Sequence, residues 1–451
     1  MNKLEHAAGT TSGGPGGAEK VVVTEKEAGR VAFASFVGTA LEWYDYYLFG
    51  TAAAIVFNRL YFTSLNPTAA TLAAFATFGV GFVARPIGAV IFGWLGDRIG
   101  RRPALLITVV LIGVATGLIG LLPGYAGIGI AAPLLLVLLR LLQGIAVGGE
   151  WGGAVTLAVE HAPPAKRGRY AALPQVGSPV GTLLSSGAFS LVLLLPKDSF
   201  DSWGWRLPFL AAFPLLLIAV YIRRKVEESP LFEELLKQDE RAKIPAVDVF
   251  RTAWRRLLVA ITSALLGVGG FYILTTFVIS YGADTLGLSR SLMVNATLVA
   301  AVFQIAVILF MGRVAERIGP GRVTLWGGAA TALLAFPLFW LIDTESPLLV
   351  VFAVTLGIAV LSVAYAVSGA LLTELFPAHL RYSGVALAYN LAGALTGFLP
   401  FVATALLDVS GGASWPVALL LAALSLLTAL GGLLGERMRV KDNVASAPAA
   451  S

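Results

Sequence analysis

Cysteine is absent from the sequence, and charge is scarce. Without cysteine there are no disulfides, no thiolate nucleophile and no thiolate metal site. The three histidines, His6, His161 and His379, are too scattered to build a metal centre. Only 13% of the 451 residues are charged, about half the share of a soluble domain. That scarcity excludes an ordinary water-soluble fold. The formal charge of +6 does not point to nucleic acid, because the basic residues gather in one set of loops. Residues 1–30 lack the short apolar core and small-residue cleavage site of a signal peptide. Their Gly/Ser/Thr/Glu/Lys-rich composition predicts a disordered tail.

What the chain has in abundance is apolar residues, 57% of the total, in recurrent runs of about twenty. The reading is an all-α polytopic membrane protein with twelve spans. They fall at about 31–57, 68–95, 103–122, 131–159, 169–195 and 206–222, then 256–282, 291–315, 322–341, 347–374, 382–407 and 415–435. This divides the chain into a tail (1–30), a six-helix half (31–222), a charged linker (223–255), a second six-helix half (256–436) and a C-terminal tail (437–451). With both termini cytoplasmic, 26 of the 32 Lys and Arg residues lie on the cytoplasmic side. The outer loops keep only Arg59, Lys197, Arg206 and Arg290. The expected location is the cell membrane.

Two loop motifs recur. Gly93, Asp97, Arg98, Gly100, Arg101 and Arg102 follow the second span, and Glu316 with Arg317 stands in the matching place after the eighth. Glu160 and Arg167 follow the fourth span, and Glu374 and Arg381 follow the tenth. The offsets of 219 and 214 residues argue for a six-plus-six duplication. In that architecture substrate sits at the midplane between the repeats. The loop charges suit a conformational latch that forms in one state and breaks in another. As a plain topology signal they would do no more than hold the loops on one side.

Glu42 lies eleven residues past Val31, about 16 Å along the helix and near the middle of a hydrocarbon core of about 30 Å. Asp45 follows at i+3, on the same side. Arg85 is also near midplane. Arg140, Gln143 and Glu150 share a stripe of about 80° on the fourth span. Ionisable groups at this depth are costly and mark ion or substrate paths by default. Glu42, Asp45 and Glu150 are therefore the proton-coupling candidates. Three acids against two arginines leave one acid over, and depth favours Glu42 as the carrier. Arg85 can fork a substrate carboxylate or balance the charge of Glu42 or Asp45, and Arg140 joins it among the substrate-binding candidates. Gln143, Tyr44 and Gln175, with Tyr272, Tyr365, Tyr389 and Asn390 from the second half, complete the substrate-binding candidates. Each neutral member could equally serve only helix packing.

These residues resemble a known family. Gly38-Thr-Ala-Leu-Glu42-Trp43-Tyr44-Asp45, Arg85-Pro86-Ile-Gly88, Gly93 to Arg102, Gln143-Gly144 through Gly153, Trp203 to Phe209 and Glu374 through Gly384 look like the metabolite:H⁺ symporter group of the major facilitator superfamily. The resemblance covers nearly everything from Gly38 to the last span, and Ala73 to Phe82 with Gly148 to Ala154 look most like the shikimate-type branch. The second-half loop departs from the family pattern, with Glu316 in place of aspartate and Pro320-Gly321 inside the basic run. The resemblance implies a proton-coupled symporter that imports a small organic acid or zwitterion by alternating access, such as α-ketoglutarate, citrate, shikimate, proline or betaine. It implies the proton as coupling ion, no other cofactor, and a monomer in the bilayer. Efflux of amphipathic compounds and a non-transporting metabolite sensor are the rival readings. An enzyme is not expected, since no nucleophile–base or metal constellation appears.

Overall fold

The computed structural model describes residues 25–99, 101–148, 159, 162, 166–224, 245–377 and 380–446. Among these residues the chain is helical and holds no strand, and the helices fall into twelve spans. Seven helices are long and apolar enough by themselves to cross a membrane, and shorter apolar helices cover Leu106–Leu121, Ala131–Val147 and Gly204–Ile218.

The first span is the helix Glu25–Ala52, carried on by a π turn at Ala53–Phe57 and by Asn58–Leu60. It starts before the apolar run does, so residues 25–30, expected in the disordered tail, are helical. The second, third and fourth spans are Pro67–Ile99, Arg101–Leu121 and Ala131–Val147. The fifth span is not the single helix expected. It is interrupted at Val176 between Arg167–Gln175 and Gly177–Val192, where Pro174 and Pro179 each remove a backbone donor. The sixth ends in Ala212–Arg224. In the expected linker, Pro245–Thr252 forms a short helix.

The seventh span begins as Trp254–Leu265 and then passes through π turns at Leu266–Gly270, Ile273–Phe277 and Tyr281–Thr285. Such turns widen a helix and concentrate at functional sites. The eighth, Arg290–Ile318, is capped by the Ser289 hydroxyl, which accepts the Leu292 N–H at 3.1 Å. Gly319, at φ 92°, turns the chain into the ninth, Pro320–Ile342. The tenth is Pro347–Leu375. The eleventh is broken between Arg381–Thr396 and Leu399–Val409. The twelfth runs through Trp415–Ser446, beyond the expected end of the span.

The second and fourth spans meet backbone to backbone. A Cβ on Gly144 would lie 2.0 Å from the Gly81 carbonyl oxygen, and one on Gly148 would lie 2.0 Å from that of Arg85. The glycines of the fourth span are therefore packing residues, and this close approach brings Arg140 and Gln143 to the first span. The two halves touch where the first and fifth spans face the seventh, eighth and tenth, and where the second faces the eleventh.

Candidate functional site

The midplane of the first half holds two ion pairs. Arg85 Nη2 lies 3.5 Å from Glu42 Oε1, and Arg140 Nη1 lies 3.4 Å from Asp45 Oδ2. All four side chains are buried, with Arg140 fully sealed. A lone charge at such a place is expensive, and these arginines carry several further contacts. Arg85 Nε donates to the Tyr46 hydroxyl at 2.9 Å. Its guanidinium carbon sits 4.2 Å from the Tyr46 ring centre and 4.6 Å from that of Phe82. The Arg140 guanidinium carbon sits 4.8, 4.4 and 5.2 Å from the rings of Tyr46, Phe49 and Phe78. Aromatic faces thus take over part of the work that water does for an exposed cation.

Asp45 is held by more than its arginine. Gln143 Nε2 donates to its Oδ1 at 2.6 Å, and the Thr116 hydroxyl approaches the same oxygen at 2.5 Å. Gln143 also accepts from Arg140 Nη1 at 3.2 Å. Gln143, a substrate-binding candidate from the sequence, is here a carboxylate holder.

The second half brings rings and neutral polar groups against this cluster. Tyr272 packs on Phe78 and Phe82 of the second span and on Trp43 of the first, with centroid distances of 5.0, 5.2 and 6.4 Å. Tyr365 stands edge-on to Trp43 at 6.2 Å. Tyr272, Tyr365 and Tyr389 are all buried, and Tyr272 and Tyr389 lie within electrostatic reach of Arg85. The Tyr272 hydroxyl and Gln175 Oε1 are buried and have no hydrogen-bond partner among the described residues. Unmet groups of this kind at the seam between halves suit a ligand. Gln175 Nε2 donates across the seam to Tyr365 O at 3.1 Å and to Ser368 Oγ at 2.7 Å. Asn390 Nδ2 donates to Gly148 O at 2.7 Å. These two amides tie the halves together and must let go when the halves part. Tyr44 stands apart from the group: its hydroxyl donates to the Pro208 carbonyl of the sixth span at 2.5 Å.

Glu150 lies outside the described residues, as do Gly100 and Glu160. Gly93, Asp97, Arg98, Arg101 and Arg102 lie on described helix, but the side chains of this loop fall outside the description. At the same end of the bundle Glu316 joins the halves, taking both Nε and Nη2 of Arg169 at 3.0 and 2.9 Å and the Arg169 N–H at 3.1 Å. The sequence reading had named Arg167 rather than Arg169. Glu374 pairs with Arg439 at 3.6 Å, and Arg439 also binds Glu436 at 2.6 Å. Arg381 Nε donates to Thr373 O at 3.0 Å, and Arg317 is exposed.

Three contributors escaped the sequence reading. Tyr46 follows Glu42 at i+4, so helical spacing alone puts it on the same face. Trp43 stacks on Tyr47 at 5.4 Å and stood in the quoted motif. Thr116, one of two threonines in the apolar third span, gave no signal.

Comparison with known proteins follows the same lines. The sequence matches the profile of the Major Facilitator Superfamily over residues 35–348 and 291–450. It is 42% identical over 412 residues to the shikimate transporter of Escherichia coli (strain K12), covering 90% of this chain and 94% of that one. It is 35% identical to the glycine betaine/proline/ectoine/pipecolic acid transporter OusA of Dickeya dadantii (strain 3937), over 93% and 85% of the two chains. Among solved structures, a D-xylose-proton symporter matches with a TM-score of 0.71 at 18% identity, over 89% of this chain and 96% of that one. The twelve-span architecture, the profile match and the full-length relatives agree: the chain belongs to the major facilitator superfamily.

Proposed function

We propose that the protein imports a small carboxylate or zwitterion together with protons across the cell membrane, by alternating access, with both termini cytoplasmic. The observation that carries this reading is the Glu42–Arg85 pair, buried at the seam beside Tyr272 and Tyr389 of the other half. A guanidinium there can hold either Glu42 or the carboxylate of a substrate. The substrates named for the relatives, shikimate, proline and glycine betaine among them, each bear a carboxylate. Protonation of Glu42 removes the competitor and frees Arg85. Substrate departure lets the pair re-form and expel the proton. Proton and substrate then favour each other's binding, as linkage requires. Asp45, paired with Arg140, is the second proton-coupling acid. The site is completed within one chain, which supports a monomer as the transporting unit.

The test uses purified protein in proteoliposomes, with shikimate and glycine betaine as probes. Glu42→Gln mimics the protonated acid. It should retain counterflow without a gradient and lose uphill uptake driven by a pH gradient. Accumulation by Glu42→Gln would move the carrier role to Asp45 or Glu150. Wild-type protein that catalyses no proton-driven uptake of small carboxylates or zwitterions would defeat the proposal.

A further inference from the structure

Thr116 Oγ1 has one hydrogen and two acceptors within reach: Asp45 Oδ1 at 2.5 Å and the Ile112 carbonyl oxygen, one turn back, at 2.8 Å. It also accepts from Gln143 Nε2 at 2.9 Å. The orientation of that amide is fixed by its neighbour. Arg140 can only donate, so Gln143 must turn its oxygen to Nη1 and its NH₂ to Asp45 and Thr116. The remaining freedom is the rotation of one hydroxyl.

We propose that Thr116 is a positioning residue that serves Asp45 in both protonation states and so sets the pH range over which Asp45 takes up and gives back its proton. With Asp45 charged, the hydroxyl turns to Oδ1 and donates. With Asp45 protonated on Oδ1, that O–H donates to Thr116 Oγ1, and the Thr116 hydrogen swings to Ile112 O. The hydrogens of Thr116, of Gln143 Nε2 and of protonated Asp45 each have an acceptor in both arrangements, because Thr116 offers two lone pairs, one to Gln143 and one to Asp45. No proton passes through Thr116; only its own hydrogen reorients. The backward bond to Ile112 is the ordinary resting place of a helical threonine, so the switch needs no distortion of the third span. Arg140 remains held by Gln143 Oε1 and by three aromatic faces when Asp45 is neutral.

Among the described residues, the charged and titratable groups around Asp45 are Arg140 of the fourth span, Arg85 of the second, and Glu42, Tyr44 and Tyr46 of its own helix. Tyr272 of the seventh span reaches the cluster through both arginines. Thr116 is neutral, so its removal leaves the charge around Asp45 unchanged. The inference rests on Asp45 being one of the proton-coupling acids, and its test reads Asp45 directly, without substrate or transport.

The measurement is an infrared pH titration of the purified protein, following the carbonyl stretch of a protonated carboxylic acid. The Asp45 band is identified by its loss in Asp45→Asn. In Thr116→Val the charged form loses a charge-assisted donor, a larger loss than the neutral form suffers. The midpoint of the band should therefore move to higher pH by about one unit. Thr116→Ala, which relieves any crowding by valine, should move it the same way, and Thr116→Ser should restore the wild-type midpoint. An unmoved midpoint in Thr116→Val and Thr116→Ala overturns the proposal. So does a Thr116→Ser shift equal to that of Thr116→Val, which would assign the effect to the methyl group. Absence of an Asp45 band at every pH where the protein is folded also overturns it.

Discussion

Arg140 has no contact with water, yet its cation is held by Asp45, Gln143, the Phe78 carbonyl and three rings. That Glu42 and Asp45 share one face of the first span could be read from the sequence, because residues three apart on a helix lie on the same side. Which arginine each acid meets could not. Periodicity gives the face on which a side chain sits, but not which neighbouring helix it meets. So Gln143 was placed with the substrate contacts, whereas the structure sets its amide on Asp45. The pairing has a measurable consequence. Arg140→Met leaves Asp45 buried without its cation and should cost about 3–5 kcal/mol of stability. Asp45→Asn in the same chain should recover much of that loss, because the orphaned charge is gone. Thermal unfolding of the two single variants and the double variant measures the coupling. Additive effects in that cycle would mean that the pair is not a unit.

At the scale of the element, the spans themselves were legible, since runs of about twenty apolar residues leave few alternatives. The breaks were legible only in the fifth span. The fifth span carries Pro174 and Pro179, so its interruption at Val176 has a cause visible in the sequence. The π turns of the seventh span have no comparable marker beyond Gly267, Gly269 and Gly270. The glycines of the fourth span could be read as small-residue packing, but not as packing against Gly81 and Arg85 in particular. The contrast between crowded and open glycines is testable. Gly144→Ala would push a methyl to 2.0 Å from the Gly81 carbonyl, which a backbone cannot easily yield. A Cβ on Gly187 meets only a leucine methyl at 3.9 Å. Gly144→Ala should therefore cost about 1–3 kcal/mol and lower the yield of folded protein. Gly187→Ala should unfold at the wild-type temperature or above it, since a helical glycine is replaced by a better helix former. Equal behaviour of the two variants in a thermal-stability assay would refute the close approach of spans two and four.

At the scale of the whole molecule, the chain separates into two ends. Residues 25–30, the edges of the 225–244 segment and Ser446 share one end, and Ser289 lies at the other. Because the sequence has no cysteine, single replacements label cleanly. With the termini inside, Ser289→Cys should react with an impermeant maleimide from outside the cell and Ser446→Cys should not. The reverse pattern would turn the protein over in the membrane. The charges at the terminal end carry the remaining conformational argument. The sequence suggested a latch there from the repeat, and among the described residues an ion pair at this end bridges the halves, Arg169 to Glu316. It is bidentate, reinforced by the Arg169 backbone N–H, and sits where the Gly168 and Gly312 backbones approach closely. At the opposite end the bidentate Arg59–Asp201 pair lies within the first half, with Asp284 and Arg290 of the second half in electrostatic reach. Glu316→Gln should thus favour states open at the terminal end, whereas Asp201→Asn should not. A partly exposed pair contributes about 0.2–1 kcal/mol, so the open population should rise by up to about fivefold. Ala172→Cys reports it, because Ala172 is buried against Gly312 and becomes accessible only on opening. Its maleimide labelling rate should increase in Glu316→Gln and stay level in Asp201→Asn. If Glu316→Gln labels no faster than the parent, this bond does not hold the terminal end closed, and the latch must be sought in the loop after the second span.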